Sequence, residues 1–110
     1  MKKIIITKVA IIENGKLGLF LPKSDPFYEF IYREASGVYW DNKLFCFKST
    51  EPDKWNYKKW YQHMVGVIKS GLDITLEIND KTEFEPSDEC FKNEILEANI
   101  LVKKWLTSLK

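Results

Sequence analysis

The sequence contains little of what most often marks catalytic or metal-binding chemistry. It has one histidine and two cysteines, so it can supply neither a histidine-rich metal set nor a closely spaced zinc knuckle. It also lacks the GxGxxG and P-loop phosphate patterns, the HExxH zinc motif and the GxSxG nucleophile elbow. We therefore expect no metal and no cofactor, and we favour a non-enzymatic role.

Long apolar runs are also absent. The longest one near the N-terminus is Ile4-Ile5-Ile6, well short of the roughly 7 to 15 apolar residues of a signal peptide and the roughly 18 of a membrane span. Cys46 lies within the apolar run 44–47, where a free thiol behaves as a small core hydrophobe. These features predict a cytoplasmic, reduced protein with no membrane partner.

What is present fits one globular domain spanning residues 1–110. The composition is 45% hydrophobic and 30% charged, and the formal net charge is +1. Such a chain can bury a core, and its total charge does not indicate a strongly basic nucleic-acid binder. The total charge does not exclude a local basic patch, which depends on where the charged residues lie.

The first half of the chain predicts two hairpins. Asn14-Gly15 separates the segment 3–12, which is rich in β-branched residues, from the apolar segment 17–21, and Asn-Gly is the strongest short hairpin signal because a type I′ turn needs positive φ at both central residues. A second hairpin is predicted to pair 38–40 with 44–49. Between them, Tyr28 to Glu34 alternates aromatic and polar residues, which predicts another strand.

In the second half, apolar residues recur every three or four positions. One amphipathic helix is predicted from Trp55, with Pro52 and Asp53 in its first turn and Gly71 at its end. A strand at 74–78 follows, and a second helix is predicted after an N-cap at Ser87. The predicted buried stripe of that helix is Phe91, Ile95, Ala98, Leu101, Val102, Trp105 and Leu109.

These elements predict an α+β fold: an antiparallel sheet of about five strands, made of two hairpins and a later strand, covered by two helices. Leu96 and Ile100 make the apolar stripe of the last helix wider than one sheet face normally covers. A second contact surface is therefore expected there, and we predict a homodimer.

Aromatic residues are concentrated in the middle of the chain, where twelve of the sixteen lie between Phe27 and Tyr61. Rings at alternating and helical spacings usually form a core. They can also line an apolar pocket in which tyrosine hydroxyls and indole N–H groups act as polar handles. The predicted binding residues for a small molecule or a protein are Tyr32, Arg33, Tyr39, Trp40, Trp60 and Tyr61; no catalytic residue is assigned.

Arg33 is the only arginine beside sixteen lysines. Its planar guanidinium can bind a carboxylate with two hydrogen bonds, which lysine cannot do. One interpretation is a structural ion pair with Glu34 or Asp41. The other is that Arg33 anchors an anionic ligand.

Two other functions stay open. Lysines alternate with aromatic residues over 43–61, a pattern typical of a single-stranded nucleic-acid platform, although a solvated helix face would look the same. A small hydrolase would need Glu34, Asp41 or His63 in a polar cleft. The segment 73–99 carries nine acidic and two basic residues, which would repel nucleic acid and suit a basic partner.

The segment 31–41, Ile-Tyr-Arg-Glu-Ala-Ser-Gly-Val-Tyr-Trp-Asp, is followed by aromatic residues at 55, 57, 60 and 61. This arrangement resembles small proteins encoded on mobile integron gene cassettes, over about residues 28–68. The resemblance implies a compact bacterial α+β protein, often of unassigned function and sometimes oligomeric. Several such proteins are thought to bind small molecules or other proteins, and no active residue is carried over.

Overall fold

A computed structural model of the protein describes residues 2–12, 15–23, 25–34, 37–49, 56–85 and 87–108. The predicted first strand is divided into β1 (Lys2–Ile5) and β2 (Lys8–Ile11). The predicted Asn-Gly hairpin is present, because β2 pairs antiparallel with β3 (Leu17–Phe20) and Gly15 has φ 78°. Glycine adopts such a positive φ without steric cost.

The second hairpin joins β4 (Val38–Asp41) to β5 (Cys46–Ser49). Its turn is held by the carboxylate of Asp41, whose Oδ1 accepts hydrogen bonds from the backbone N–H groups of Lys43 at 2.8 Å and Leu44 at 3.0 Å. Phe45 completes the turn with φ 61° and exposes its ring. The second predicted hairpin is therefore confirmed, with a strand that begins at Cys46 rather than at Leu44.

The main sheet has the strand order β4-β5-β3-β2-β7, in which β7 (Glu83–Glu85) runs parallel to β2 and the other neighbours are antiparallel. The strand predicted at 74–78 is β6 (Ile74–Glu77), but it pairs parallel with β1 in a separate two-stranded sheet. The α+β class and a mostly antiparallel five-stranded sheet are thus confirmed. The later strand of that sheet is β7 rather than β6.

Residues Pro26–Glu34 form a 3₁₀ helix, so the strand predicted at 28–34 is wrong. Tyr28 and Ile31 are buried, whereas Phe30 is 43% exposed. Burial therefore recurs every three residues, which is the period of a 3₁₀ helix. The alternating aromatic pattern indicated a period of two, and Pro26, whose fixed φ suits a helix start, decided the local conformation.

The first helix, α1 (Tyr57–Leu72), begins at the N-cap Asn56, whose Oδ1 accepts a hydrogen bond from the Lys59 N–H at 2.8 Å. It ends at Asp73, which adopts the left-handed conformation with φ 56°. Gly71 therefore lies inside the helix instead of ending it. The predicted first-turn residues Pro52 and Asp53 are outside the described residues.

The second helix, α2 (Glu89–Ser108), is capped by Asp88 and not by Ser87, because Asp88 Oδ1 accepts a hydrogen bond from the Cys90 N–H at 2.7 Å. Phe91, Ile95, Ala98 and Val102 are buried as predicted. Two residues of the predicted stripe are not buried: Leu101 and Trp105 are each 44% exposed. Leu109 is outside the described residues.

The two helices run parallel, as their contacts show. Tyr57 packs against Phe91, and Trp105 lies over Gly66, so both contact points advance in the same direction along the chain. Side chains of both helices join one buried core with the inward-facing residues of the sheet, among them Val9, Leu19 and Phe47. Over the described residues, no helix is long and apolar enough to cross a membrane.

Candidate functional site

Three of the predicted binding residues lie in the hydrophobic core. Trp60 is 1% exposed and Tyr61 is fully buried on α1, while Trp40 is 7% exposed on β4. The Tyr61 hydroxyl donates a hydrogen bond to Oδ1 of the buried Asn99 at 2.8 Å, which fixes α1 against α2. Burial raises the pKa of Tyr61, so its phenol stays neutral at any physiological pH.

Trp40 belongs to a cluster of three rings. Its ring centroid lies 4.9 Å from that of Tyr28 and 4.8 Å from that of Phe47, in edge-to-face geometry. The Trp40 Nε1 is buried and has no hydrogen-bond partner among the described residues. Because the 3₁₀ helix supplies Tyr28 and the sheet supplies the other two rings, this cluster attaches that helix to the sheet.

Tyr39 faces the other way, since neighbouring residues of a strand point to opposite faces of the sheet. Its side chain is half-buried on the face opposite the helices, and its hydroxyl oxygen accepts a hydrogen bond from Lys16 Nζ at 3.2 Å. Lys48 Nζ lies 5.0 Å from the Tyr39 ring centroid. Tyr39 is thus separated from Trp40, Trp60 and Tyr61 by the sheet itself.

Asp41 lies two residues after Tyr39 on β4, on the same face of the sheet, and it is paired with Lys48. Lys48 Nζ lies 2.8 Å from Asp41 Oδ2, and the Lys48 side chain is 5% exposed. This hydrogen bond, with those from the turn N–H groups, lowers the pKa of Asp41 to about 2. Asp41 is therefore ionised and structurally bound, which makes it a poor general acid.

The remaining predicted residues give little support to catalysis. The side chains of Tyr32, Arg33 and Glu34 are outside the described part of the structure. His63 is half-buried on α1 and meets the edge of the Trp60 ring. Cys46 is buried as predicted, and burial raises the pKa of its thiol to about 12. Among the described residues, no three His, Cys, Asp or Glu side chains are grouped as a metal ion would need.

The lysine and aromatic segment 43–61 does not form a continuous platform in its described part. Phe47, Trp60 and Tyr61 are buried, so these rings cannot stack on bases. Lys48 is paired with Asp41, and Lys58 Nζ lies 3.3 Å from Glu97 Oε2. Lys54 and Trp55 are outside the described residues, and nucleic-acid binding stays a prediction.

The outward face of α2 exposes apolar residues, as the wide apolar stripe of this helix predicted in part. Ile100 is 54% exposed and Leu101 is 44% exposed, and Glu97 and Lys104 are exposed beside them. Because residues three and four apart are neighbours on a helix surface, these four side chains form one patch, called here the α2 patch. In the sequence, the signal for this patch is that Glu97 and Lys104 flank Ile100 and Leu101 at a distance of three residues on each side.

The described surface includes two open grooves. One, of about 620 Å³, lies beside β1 and is lined by residues that include Lys3, Ile5, Pro22 and Lys81. The other, of about 750 Å³, lies between β7 and the start of α2, beside Phe84 and Leu96. Neither is lined by any of the six predicted binding residues, so the aromatic site stays a prediction.

Comparisons with known proteins agree with the sequence resemblance. The model of the family described as integron cassette protein Hfx_Cass5 matches residues 5–82. A solved structure of integron cassette protein Hfx_Cass5, from the mobile metagenome of the North West Arm sewage outfall, is 23% identical over 91% of this chain and 98% of that chain, with a TM-score of 0.43. No curated protein matches this sequence.

Proposed function

This chain belongs to the family of integron cassette protein Hfx_Cass5, and we propose that it works as a non-enzymatic interaction module that forms a homodimer. The observation that carries the proposal is the α2 patch, which exposes Ile100 and Leu101 between two opposite charges. Bulky apolar side chains placed together on a surface mark contact sites more often than isolated ones do. The partner that fits this patch is a second copy of the chain.

The fit follows from the symmetry of the patch. If two α2 helices pack antiparallel about a two-fold axis between positions 100 and 101, residue i of one copy faces residue 201 − i of the other. Ile100 then meets Leu101 of the second copy, and Glu97 meets Lys104 of the second copy. A two-fold interface must be complementary to itself. This patch satisfies that condition, because its apolar side chains face apolar side chains and its opposite charges face each other.

The central aromatic residues support this role indirectly. With Trp40, Trp60 and Tyr61 in the core, they hold α1, the 3₁₀ helix and the sheet together and so present α2 as a rigid face. Tyr39 is the described member of the predicted site that stays half-exposed. A ligand at Tyr39 would meet Lys16, whose Nζ lies 3.2 Å from the Tyr39 hydroxyl oxygen, whereas Lys48 is buried and paired with Asp41.

A charge-reversal series tests the dimer. Lys104→Glu places like charges opposite each other at both ends of the paired patches and leaves the ion pair of Glu97 with Lys58 of the same copy intact, so we expect the dimer dissociation constant to rise about tenfold or more. The double variant Glu97→Lys with Lys104→Glu restores opposite charges and should return the constant close to the wild-type value. Sedimentation equilibrium or light scattering over a concentration series measures both effects.

The matched control is Lys43→Glu, which reverses a charge at the exposed β4–β5 turn, far along the chain from α2. It should leave the dissociation constant unchanged. A wild-type chain that stays monomeric at every concentration would remove the proposal. A dimer that the double variant fails to restore would show that another surface forms it.

A further inference from the structure

The turn between β4 and β5 holds Phe45 in a backbone conformation that its side chain disfavours. Phe45 has φ 61°, in the left-handed region where the Cβ of an L-residue crowds the following carbonyl oxygen. A bulky residue there is an outlier, since glycine or asparagine usually takes such a turn position. Two backbone hydrogen bonds of 2.9 Å fix it: its N–H donates to the Asp41 carbonyl oxygen, and its own carbonyl oxygen accepts from the Leu21 N–H. The surrounding structure therefore imposes this strain.

Burial of the ring does not explain the strain. Phe45 is 41% exposed, and Leu44 beside it is 45% exposed. A bulky residue kept in a strained conformation for the sake of the core would be buried, whereas Phe45 lies at the end of a hairpin. Strained residues cluster at ligand clamps and switch regions. The position of Phe45 therefore indicates a contact outside the protein's own core.

Leu44 and Phe45, called here the apolar tip, belong to a short turn rather than to a groove or a flat face. The Asp41 carboxylate fixes the preceding residues of this turn through two N–H groups, so the tip is held rigidly. A specific protein interface buries about 800 Å² on each partner, far more than two half-exposed side chains offer. A lipid surface needs no complementary shape, because apolar side chains enter the boundary between headgroups and acyl chains directly.

Lysines lie beside the apolar tip on both of the chain segments that meet there. Lys43 precedes the tip and is exposed. Lys23 is also exposed, two residues after Leu21, whose N–H bonds to the Phe45 carbonyl oxygen. Lysines close to a membrane are attracted by its anionic lipids, within about a Debye length of the surface. The two segments therefore supply an apolar contact and an electrostatic one.

The carboxylates of these segments are engaged elsewhere. Asp41 is 19% exposed and is paired with Lys48. Asp25 is half-buried and lies near Tyr28, whose pKa is raised by burial and then by the Asp25 charge. Glu29, the next exposed carboxylate along the chain, lies on the 3₁₀ helix outside both segments. The exposed charge next to the apolar tip is therefore basic.

We propose that the apolar tip inserts into the surface of a membrane that contains anionic lipids, with Lys43 and Lys23 at the headgroups. The contact is weak and reversible, because two side chains bury little apolar area and stable anchoring takes further signals. The prediction of no membrane partner concerned spanning segments and signal peptides, and a surface contact needs neither. The tip lies on the sheet and the α2 patch on a helix, so the contact does not depend on the homodimer.

Co-sedimentation with lipid vesicles tests the contact. At low ionic strength, we expect the wild-type protein to partition about tenfold more strongly onto vesicles of equal phosphatidylcholine and phosphatidylserine than onto vesicles of phosphatidylcholine alone. Added salt should reduce that difference, because it screens the lysines. Lys43→Glu should lower partition onto the anionic vesicles about tenfold and leave the homodimer unchanged, so the contact and the dimer can fail separately.

Variants of Phe45 separate the ring from the backbone strain. Phe45→Gly removes the ring, suits the left-handed backbone and keeps both backbone hydrogen bonds, so it should fold and lower partition onto the anionic vesicles about fivefold. Phe45→Ala should lower partition equally but melt at a lower temperature than Phe45→Gly, since alanine keeps the Cβ. The matched control is Phe30→Ala, which removes a 43% exposed ring from the 3₁₀ helix and should partition as the wild type does.

Three results would contradict the proposal. A wild-type protein without preference for the anionic vesicles would remove the contact. Phe45→Gly that partitions like the wild type, or Phe30→Ala that loses partition as strongly as Phe45→Gly, would show that the apolar tip does not insert. Phe45→Ala that melts no lower than Phe45→Gly would remove the role given to the strained backbone.

Discussion

Replacing Trp60 by alanine is expected to lower the free energy of unfolding by about 3 to 5 kcal/mol, a large share of the roughly 5 to 15 kcal/mol typical of such a domain. Trp60 is 1% exposed on α1, so truncation removes a large buried ring and leaves a cavity that the packed helix and sheet cannot fill. Urea unfolding followed by far-ultraviolet circular dichroism measures the change without relying on tryptophan emission.

Trp105→Ala is the matched control. It removes the same side chain from α2, where Trp105 is 44% exposed and covers Gly66. We expect it to cost about 1 kcal/mol, because much of its area already contacts water. If Trp60→Ala lowered the free energy of unfolding by no more than Trp105→Ala does, Trp60 would not be a core residue. That result would favour the open aromatic site predicted from the sequence.

The second large effect concerns the ion pair on the other face of the sheet. Asp41→Asn keeps a side-chain oxygen for the turn but removes the charge that balances Lys48, whose side chain is 5% exposed. Removing one partner of a buried pair leaves an uncompensated charge, so we expect a loss of about 3 kcal/mol. Asp73→Asn is the control: its carboxylate also lies 2.8 Å from a lysine but is 72% exposed, so solvent screens the pair and the loss there should be much smaller.

The same pair sets a dependence of stability on pH. Asp41 has its pKa lowered from 3.8 to about 2 in the folded protein. A lowered carboxyl pKa stabilises the folded state above the ordinary pKa, and this stabilisation is lost as the pH falls from about 4 through about 2. The Asp41→Asn variant should lose less stability than the wild type over that interval, measured by urea unfolding at each pH. Equal losses would show that Asp41 is not the titrating group.

Local signals in the sequence predicted those elements whose geometry is set within a few residues. Asn14-Gly15 predicted the first hairpin because a glycine there takes a positive φ at no cost. The spacing of apolar residues predicted both helices and most of the core residues on them, among them Trp60, Ile95 and Val102, but Leu101 and Trp105 are exposed. The wrong strand at 28–34 has a local cause too: the alternating rings drew a period of two from the sequence, whereas the buried residues Tyr28 and Ile31 are three apart, as in a 3₁₀ helix.

The sequence predicted less well which strands pair with each other. The residues of β6 indicate a strand but do not say whether β1 or β7 lies beside it, because parallel partners are distant in the chain. The candidate site failed to assemble for a related reason: Tyr39 and Trp40 are adjacent in sequence, and the pleat of β4 sends them to opposite faces. The β4–β5 hairpin places Asp41 and Lys48 on one face, which explains their pair, whereas the single arginine favoured Arg33 as the partner of Asp41 or Glu34.

The parallel pairs β1–β6 and β2–β7 have a consequence for the order of events during synthesis. The segment 2–11 leaves the ribosome well before its parallel partners at 74–85. Contacts so far apart in sequence slow folding, because the intervening chain must be closed into a loop before they form. Until residues 74–85 have been synthesised, β1 therefore lacks its partner β6, and β2 pairs on one side alone, with β3.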